Sequence, residues 1–189
     1  MPAIEQKALQ LCTGKTLDIG SGAGSHSLWL QEQGIDVTAL DISKGCGTLS
    51  RKRTLKQTIT TPILDHQGHY DTLLILMNGT GIFEEILKID TYLQHLKTLL
   101  TPNGQILIDG SDIKYMFETE DGGYWIDLHN SYYGEVTMAM SYKGQRSNDF
   151  KWLYLDFNTL QTYAKKNELQ CELILDGNHY DYLARLTLA

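Results

Sequence analysis

Thr16-Leu17-Asp18-Ile19 runs straight into Gly20-Ser21-Gly22-Ala23-Gly24, and no other stretch of the chain restricts its folding so tightly. Leu17 and Ile19 enter Gly20 as a buried strand, while Ser25 to Gln33, with Leu28 and Trp29 and a stop at Gly34, has the pattern of an amphipathic helix. Glycines between the two allow positive φ and let a ligand approach main-chain groups that a Cβ would shield. The next apolar run, Ile35 to Leu40, ends in Asp41, about 20 residues beyond the loop, where nucleotide folds place a carboxylate on ribose hydroxyls. Taken alone, Asp41 would be a turn residue or a helix cap, and Ser43 a cap for the next helix. Its pairing with the glycine loop points instead to a nucleoside-sized site.

Glycine spacing narrows the ligand. A dinucleotide fingerprint, Gly-x-Gly-x-x-Gly, needs its third glycine at Ser25, but the glycine stands at Gly24, which weighs against NAD or FAD. Gly14-Lys15-Thr16 looks like the end of a phosphate-binding P-loop, yet Leu9 occupies the required first glycine and a strand follows where a helix should. At 189 residues the chain reads as one domain, residues 1–189. Cys12, Cys46 and Cys171 are odd in number and lack C-x-x-C spacing, the pattern of free thiols in a reducing compartment. No leader and no membrane-length apolar run is visible, so a cytoplasmic protein with no membrane partner is expected. A formal charge of −7 opposes a nucleic-acid partner. The basic cluster Arg51-Lys52-Arg53 with Lys56 is read as a solvated helix end without a role.

Downstream, Thr58 to Leu64 is an extended run broken by Pro62 and ending at Asp65, and Thr72 to Met77 is a continuous apolar strand stopped by Asn78-Gly79. Leu93, Leu96 and Leu100 recur at helical spacing with Asp90 as cap, and Thr101-Pro102-Asn103-Gly104 turns the chain into Ile106-Leu107-Ile108. Asp156 is expected to cap a helix carrying Leu160, Tyr163 and Ala164; Glu172 to Leu175 and Tyr180 to Leu188 then flank the hairpin signal Asp176-Gly177-Asn178. Strands alternating with helices predict an α/β, doubly wound, mostly parallel sheet with right-handed crossovers. Such sheets bind ligands at the carboxyl ends of their strands, where Asp18 to Gly24, Asp41, Asp65, Asn78 and Asp109 are all expected. Asn78-Gly79 also suits a type I′ turn for purely local reasons. His66 and His69 lack a third ligand at zinc spacing, and no metal is expected.

The acidic-x-Gly-x-Gly-x-Gly pattern of Asp18 to Gly24 resembles the first motif of class I, Rossmann-like S-adenosylmethionine-dependent methyltransferases. Gly24 to Leu28, Val37 to Ser43, Tyr70-Asp71-Thr72-Leu73-Leu74 and Leu99 to Ile108 are similar to later motifs of that family, covering roughly residues 15 to 110. The resemblance implies a seven-stranded sheet closed by a C-terminal antiparallel strand, with S-adenosyl-L-methionine as cofactor and S-adenosyl-L-homocysteine as product. It implies that Gly20, Ser21, Gly22 and Gly24 line the methionine end of the donor and that Asp18 orients the loop towards its amino group. Asp41 would take both ribose hydroxyls, Ile42 flank the adenine, Asp65 accept from the adenine amine, and Asn78 stand where donor and acceptor meet. Asn78-Gly79-Thr80-Gly81 is not the Asn-Pro-Pro-aromatic form of adenine-amine and glutamine methylases, which disfavours those substrates. His26 opens a helix facing the site and is read as a partner of a strand-end carbonyl or as a catalytic group.

Only a short helix, about Ile4 to Leu11, precedes the first strand, so acceptor choice is expected to lie elsewhere. Most aromatics fall in residues 110–155, where Glu135 to Tyr142 and Lys151 to Leu155 alternate around Lys143-Gly144-Gln145 as an inserted β-hairpin. Its aromatics would cover the pocket and enclose an apolar or cationic small-molecule acceptor, or else only stabilise the hairpin through cross-strand pairs. Tyr115, Tyr124, Trp125, His129 and Tyr132 are the substrate-side candidates. No catalytic residue is assigned, because an already activated donor needs a general base only for a protonated nucleophile. A donor-binding sensor or assembly subunit without transfer stays open as the alternative, and a nucleotide-dependent oxidoreductase is disfavoured by the glycine spacing.

Overall fold

The computed structural model describes the chain except for residues 127–131. Helix α1 (Ala3–Leu11) leads into β1 (Thr16–Ile19), followed by α2 (Ser25–Glu32), β2 (Val37–Asp41), α3 (Lys44–Lys52) and β3 (Thr58–Thr60). A 3₁₀ turn at Ile63–Asp65 precedes β4 (Tyr70–Ile75); after two more 3₁₀ turns come α4 (Ile89–Thr98) and β5 (Leu100–Ser111). Four short strands, β6 (Glu135–Met138), β7 (Ser141–Tyr142), β8 (Gln145–Arg146) and β9 (Phe150–Leu153), lead to α5 (Phe157–Lys166) and to the final pair β10 (Leu169–Asp176) and β11 (Asp181–Leu188).

Seven strands form one sheet in the order β10-β11-β5-β4-β1-β2-β3. The block from β5 to β3 is parallel, and β11 runs antiparallel to both β5 and β10. This is the doubly wound sheet with an antiparallel closing strand that the sequence pattern predicts. Side chains alternate across it, as a strand covered on both faces requires. Leu73, Ile75, Ile106, Ile108 and Leu186 pack with Leu93, Leu96 and Leu160 of α4 and α5, while Leu74, Leu76, Leu107 and Leu183 pack with Ile4, Ala8 and Leu30 of α1 and α2.

Local details correct several expectations. Asp90 is not the cap of α4. Lys88 holds that position, and Asp90, inside the first turn, receives hydrogen bonds from Lys166 Nζ at 2.5 Å and Asn167 Nδ2 at 2.8 Å. Thr101 to Gly104 is no separate turn but a bulge within β5, where the register with β4 jumps from Tyr70 opposite Leu100 to Thr72 opposite Gln105. Asn78-Gly79 is not a type I′ turn either, since the left-handed residues are Met77 and Asn78 (φ 67° and 58°) and Gly79 opens a 3₁₀ turn. Ser43 and Asp156 do cap α3 and α5, accepting from the amides of Cys46 and Thr159.

The inserted hairpin forms, but its first arm is broken between Met138 and Ser141, and Gln145, read as part of the turn, opens β8. β6 pairs with β9 and β7 with β8, around a two-residue turn in which Lys143 (φ 47°) and Gly144 (φ 79°) are both left-handed. Two glycines allow it to dock on the sheet end. A Cβ on Gly134 would overlap the Tyr154 carbonyl oxygen, and one on Gly81 would enter the Trp152 ring.

Candidate donor and acceptor site

β1 and β2 deliver the glycine loop and Asp41 to the same carboxyl edge, Ile19 standing opposite Leu40 in the ladder. The amides of Gly20 and Ser21 both donate to the Leu40 carbonyl, at 2.9 and 3.0 Å, which seats the loop on β2. Gly20 and Gly22 are left-handed, and a Cβ on either would project into open space, leaving a cradle whose floor is main chain. Gly24, also left-handed, has a different reason to be glycine, because a Cβ there would collide with Leu55 Cδ1.

Asp41 couples the two halves. Its Oδ2 accepts from the Gly22 amide at 2.8 Å and its Oδ1 from the Ser43 amide at 2.7 Å. An ionised carboxylate has about four lone-pair sites, so one on each oxygen is left for a pair of vicinal hydroxyls. Ile42 follows with 74% of its surface exposed, an apolar side chain available to a flat ring. Open space over the glycines, unused carboxylate lone pairs and an exposed aliphatic flank fit a nucleoside-sized ligand.

Asp18 is 2% exposed and accepts from the Ser27 hydroxyl at 2.5 Å, tying β1 to the first turn of α2. Burial pushes its carboxyl above the usual carboxylate range, opposed by the Ser27 hydrogen bond and the nearby His26. His26 differs from the expectation of a strand-end carbonyl. Its Nε2 lies 2.8 Å from Glu5 Oε2, which joins α1 to α2. Arg53 is exposed at the end of α3, as the sequence suggests, but it is not without a role: it donates to the Ala23 carbonyl at 2.7 Å and so clamps the back of the glycine loop. Only the cluster of basic residues was visible in the sequence, and an arginine folding back across 30 residues leaves no local pattern.

Asp65 is not brought to this rim. Pro62 ends the extended run after β3, and the next turn places Asp65, exposed, in a separate cleft of about 560 Å³ with His66, His69, His95, Thr98 and Leu99. Leu99 accepts from the amide of Tyr70, the first residue of β4, so this cleft borders the amino ends of the strands. Burial lowers the pKa of His66, whose Nε2 lies 2.9 Å from the Tyr70 hydroxyl. No group of three or more His, Cys, Asp or Glu among the described residues could hold a metal ion.

Asn78 does reach the carboxyl edge, but its Nδ2 points to the Leu153 carbonyl of β9 at 3.4 Å, and its buried Oδ1 has no partner among the described residues. Asp109, legible in the sequence only as a strand-end residue, accepts from the amides of Met77, Asn78 and Gly79.

On the acceptor side the candidates divide. Tyr132 is committed to the fold: its hydroxyl donates to Asp156 Oδ2 at 2.6 Å and accepts from the Asp156 amide. Tyr124 and Trp125 are 46% and 72% exposed. Tyr115 stacks on Tyr180 at 5.3 Å between ring centroids, with Lys114 Nζ 5.7 Å from the Tyr180 ring. Tyr180 was missed because it belongs to the β10–β11 turn, which strand pairing returns to the carboxyl end of β5, Asp181 opposite Ser111. Tyr133, its pKa raised by burial and by its neighbours Tyr132 and Asp112, donates to Asp112 Oδ1 at 2.7 Å. His129 lies outside the described residues.

A family profile described as a methyltransferase domain matches residues 6–166. Among solved structures, a SAM-dependent methyltransferase from Bacteroides fragilis, in complex with S-adenosyl-L-homocysteine, is 43% identical, with a TM-score of 0.95 over 100% of this chain and 78% of that one. The CcbJ methyltransferase from Streptomyces caelestis (12% identity, TM-score 0.72, 100% of this chain and 90% of that one) shares the fold. So does the PH0226 protein from Pyrococcus horikoshii OT3 (15%, TM-score 0.70, 98% and 89%). No curated protein matches the sequence.

Proposed function

The chain belongs to the S-adenosylmethionine-dependent methyltransferases, and on that premise we propose that it methylates a small molecule received under the aromatic segment between β5 and α5. Bound in the glycine cradle, S-adenosyl-L-methionine supplies a methyl group already activated on a cationic sulfur. The protein's share is then to orient two reactants and exclude water. In this reading Gly20, Ser21, Gly22 and Gly24 hold the methionine end with Asp18 behind them, Asp41 holds the ribose, Ile42 flanks the adenine, and Asn78 borders the meeting point. Residues 1–189 act as one domain, with 110–155 as the substrate-side insertion.

The observation that carries the acceptor reading is the run of exposed aromatic side chains, Tyr115, Tyr124, Trp125 and Tyr180, on segments that leave β5 and enter β11 at the edge holding the glycine loop. Aromatic faces suit apolar or cationic small molecules. A net charge of −7 opposes a nucleic-acid acceptor. No helix among the described residues is long and apolar enough to cross a membrane. Cys12, Cys46 and Cys171 are free thiols, which supports a cytoplasmic setting.

The test is transfer of label from methyl-tritiated S-adenosyl-L-methionine to a panel of small amines, alcohols, thiols and carboxylates, run beside tRNA, DNA and a cell-protein fraction. Label in a small-molecule product is expected. Label entering only nucleic acid or protein would sink the acceptor reading and leave the cofactor assignment intact.

A further inference from the structure

Asp109 ends the buried run Ile106-Leu107-Ile108 of β5, yet its carboxylate serves the loop that leaves the neighbouring strand. Oδ2 accepts from the Met77 and Asn78 amides at 3.1 and 3.2 Å, and Oδ1 from the Gly79 amide at 2.6 Å. Met77 and Asn78 are both left-handed, a conformation unfavourable for a residue with a Cβ, above all for Met77, unless the surroundings impose it. Successive amides converging on one point make a concavity suited to an anion. Here the anion is Asp109 itself. Burial raises its pKa and the three amides oppose that shift.

Peptide geometry fixes what the far side of the loop does. The peptide bonds are trans, so the N–H and C=O of each unit point in opposite directions. Three amides aimed at Asp109 therefore turn the carbonyls of Leu76, Met77 and Asn78 away from it. The Asn78 carbonyl accepts from the Gly81 amide at 2.9 Å, while those of Leu76 and Met77 accept no hydrogen bond among the described residues. This corner reaches solvent, with the Met77 side chain 71% exposed, and it stands next to the glycine loop because β4 pairs with β1.

We propose that Asp109 is a positioning residue for methyl transfer: by gathering three amides on one side of the loop, it presents the Leu76 and Met77 carbonyl oxygens to a positively charged group of the donor. The donor has two such groups, its sulfonium and its ammonium. Carbonyl oxygens attract either cation; transfer turns the sulfonium into a neutral thioether and leaves the ammonium unchanged.

Calorimetry with three ligands separates the possibilities. S-adenosyl-L-methionine carries both cations, S-adenosyl-L-homocysteine only the ammonium, and 5′-methylthioadenosine neither. In Asp109→Asn the amide nitrogen must face one of the converging N–H groups, so the concavity opens. Asp109→Asn should weaken S-adenosyl-L-methionine about tenfold and 5′-methylthioadenosine less than about twofold. A matching loss for S-adenosyl-L-homocysteine identifies the ammonium as the group held; no loss there identifies the sulfonium. Equal losses for all three ligands, or unchanged S-adenosyl-L-methionine binding, would overturn the proposal. Should melting show Asp109→Asn to be unfolded, Asp109→Ser, which keeps one acceptor in less volume, is judged with the same ligands and the same criteria.

Discussion

On the proposed reading Asp41 serves protein and ligand at once, through different lone pairs of one carboxylate. Removing it would then take away two hydroxyl contacts as well as the acceptor of the Gly22 amide. Hydrogen bonds to charged groups contribute about 1.5–3 kcal/mol, so Asp41→Ala should weaken S-adenosyl-L-homocysteine about tenfold to a hundredfold by calorimetry. Asp18 makes a different prediction. A carboxyl whose pKa is raised by folding holds its proton more firmly in the native state, so the native protein carries more protons than the unfolded chain between the two values. Stability contributed by this group is therefore present at low pH and falls as pH rises from about 4 through the raised native value. Melting temperatures measured across that window should fall less in Asp18→Asn than in the wild type. A parallel decline in both proteins would show that Asp18 is not the source. Asp18, Asp41 and the glycines were legible in the sequence because their neighbours along the chain fix their geometry. Arg53 and Glu5 were not, since each acts on a segment about 20 to 30 residues away, joined to it only by the fold, and of Asp109 only the strand-end position was legible, not the amides it gathers.

Elements were easiest to anticipate where one periodicity governed a whole run. The run from Thr72 was read as a covered strand and is one as far as Ile75, though Met77, read as its end, is exposed and left-handed; Ile106 to Ile108 is covered throughout, and the Lys143-Gly144 hairpin was signalled by its turn. Asp65 failed for a reason that belongs to this scale. It was read as closing the extended run from Thr58, but β3 stops at Thr60, and the stretch from Pro62 to His69 carries the chain towards the other end of the sheet before β4 begins. Asp90 failed similarly, through a helix that starts one residue before it. The inserted hairpin offers the sharpest test of an element. With the Tyr154 carbonyl oxygen in the space its Cβ would need, Gly134→Ala must shift backbone, and forcing extra volume into a packed site costs about 1–3 kcal/mol. The expected result is a lower melting temperature and impaired methyl transfer, with S-adenosyl-L-homocysteine affinity close to wild type. A comparable loss of that affinity would place the hairpin in the donor site instead of over the acceptor.

As a whole molecule the protein should register its ligand as stability. A compound that binds only the native state at a hundred times its dissociation constant adds about 2.7 kcal/mol, which for a chain of this size raises the melting temperature by roughly 5–10 °C. S-adenosyl-L-homocysteine should produce that shift and NADH none, a comparison that differential scanning calorimetry reads directly. The sheet order carries one more consequence. β11 follows β10 along the chain but lies between β10 and β5, so within the sheet β10 is held by β11 alone. During synthesis β10 emerges first and has no edge to join. The parallel block from β3 to β5 can assemble meanwhile with its outer strand uncovered, and the arrival of β11 both seals that edge and recruits β10. β11 also brings Tyr180 against Tyr115, so on the proposed reading the acceptor side is completed late in the order of assembly, after the glycine loop and its strands.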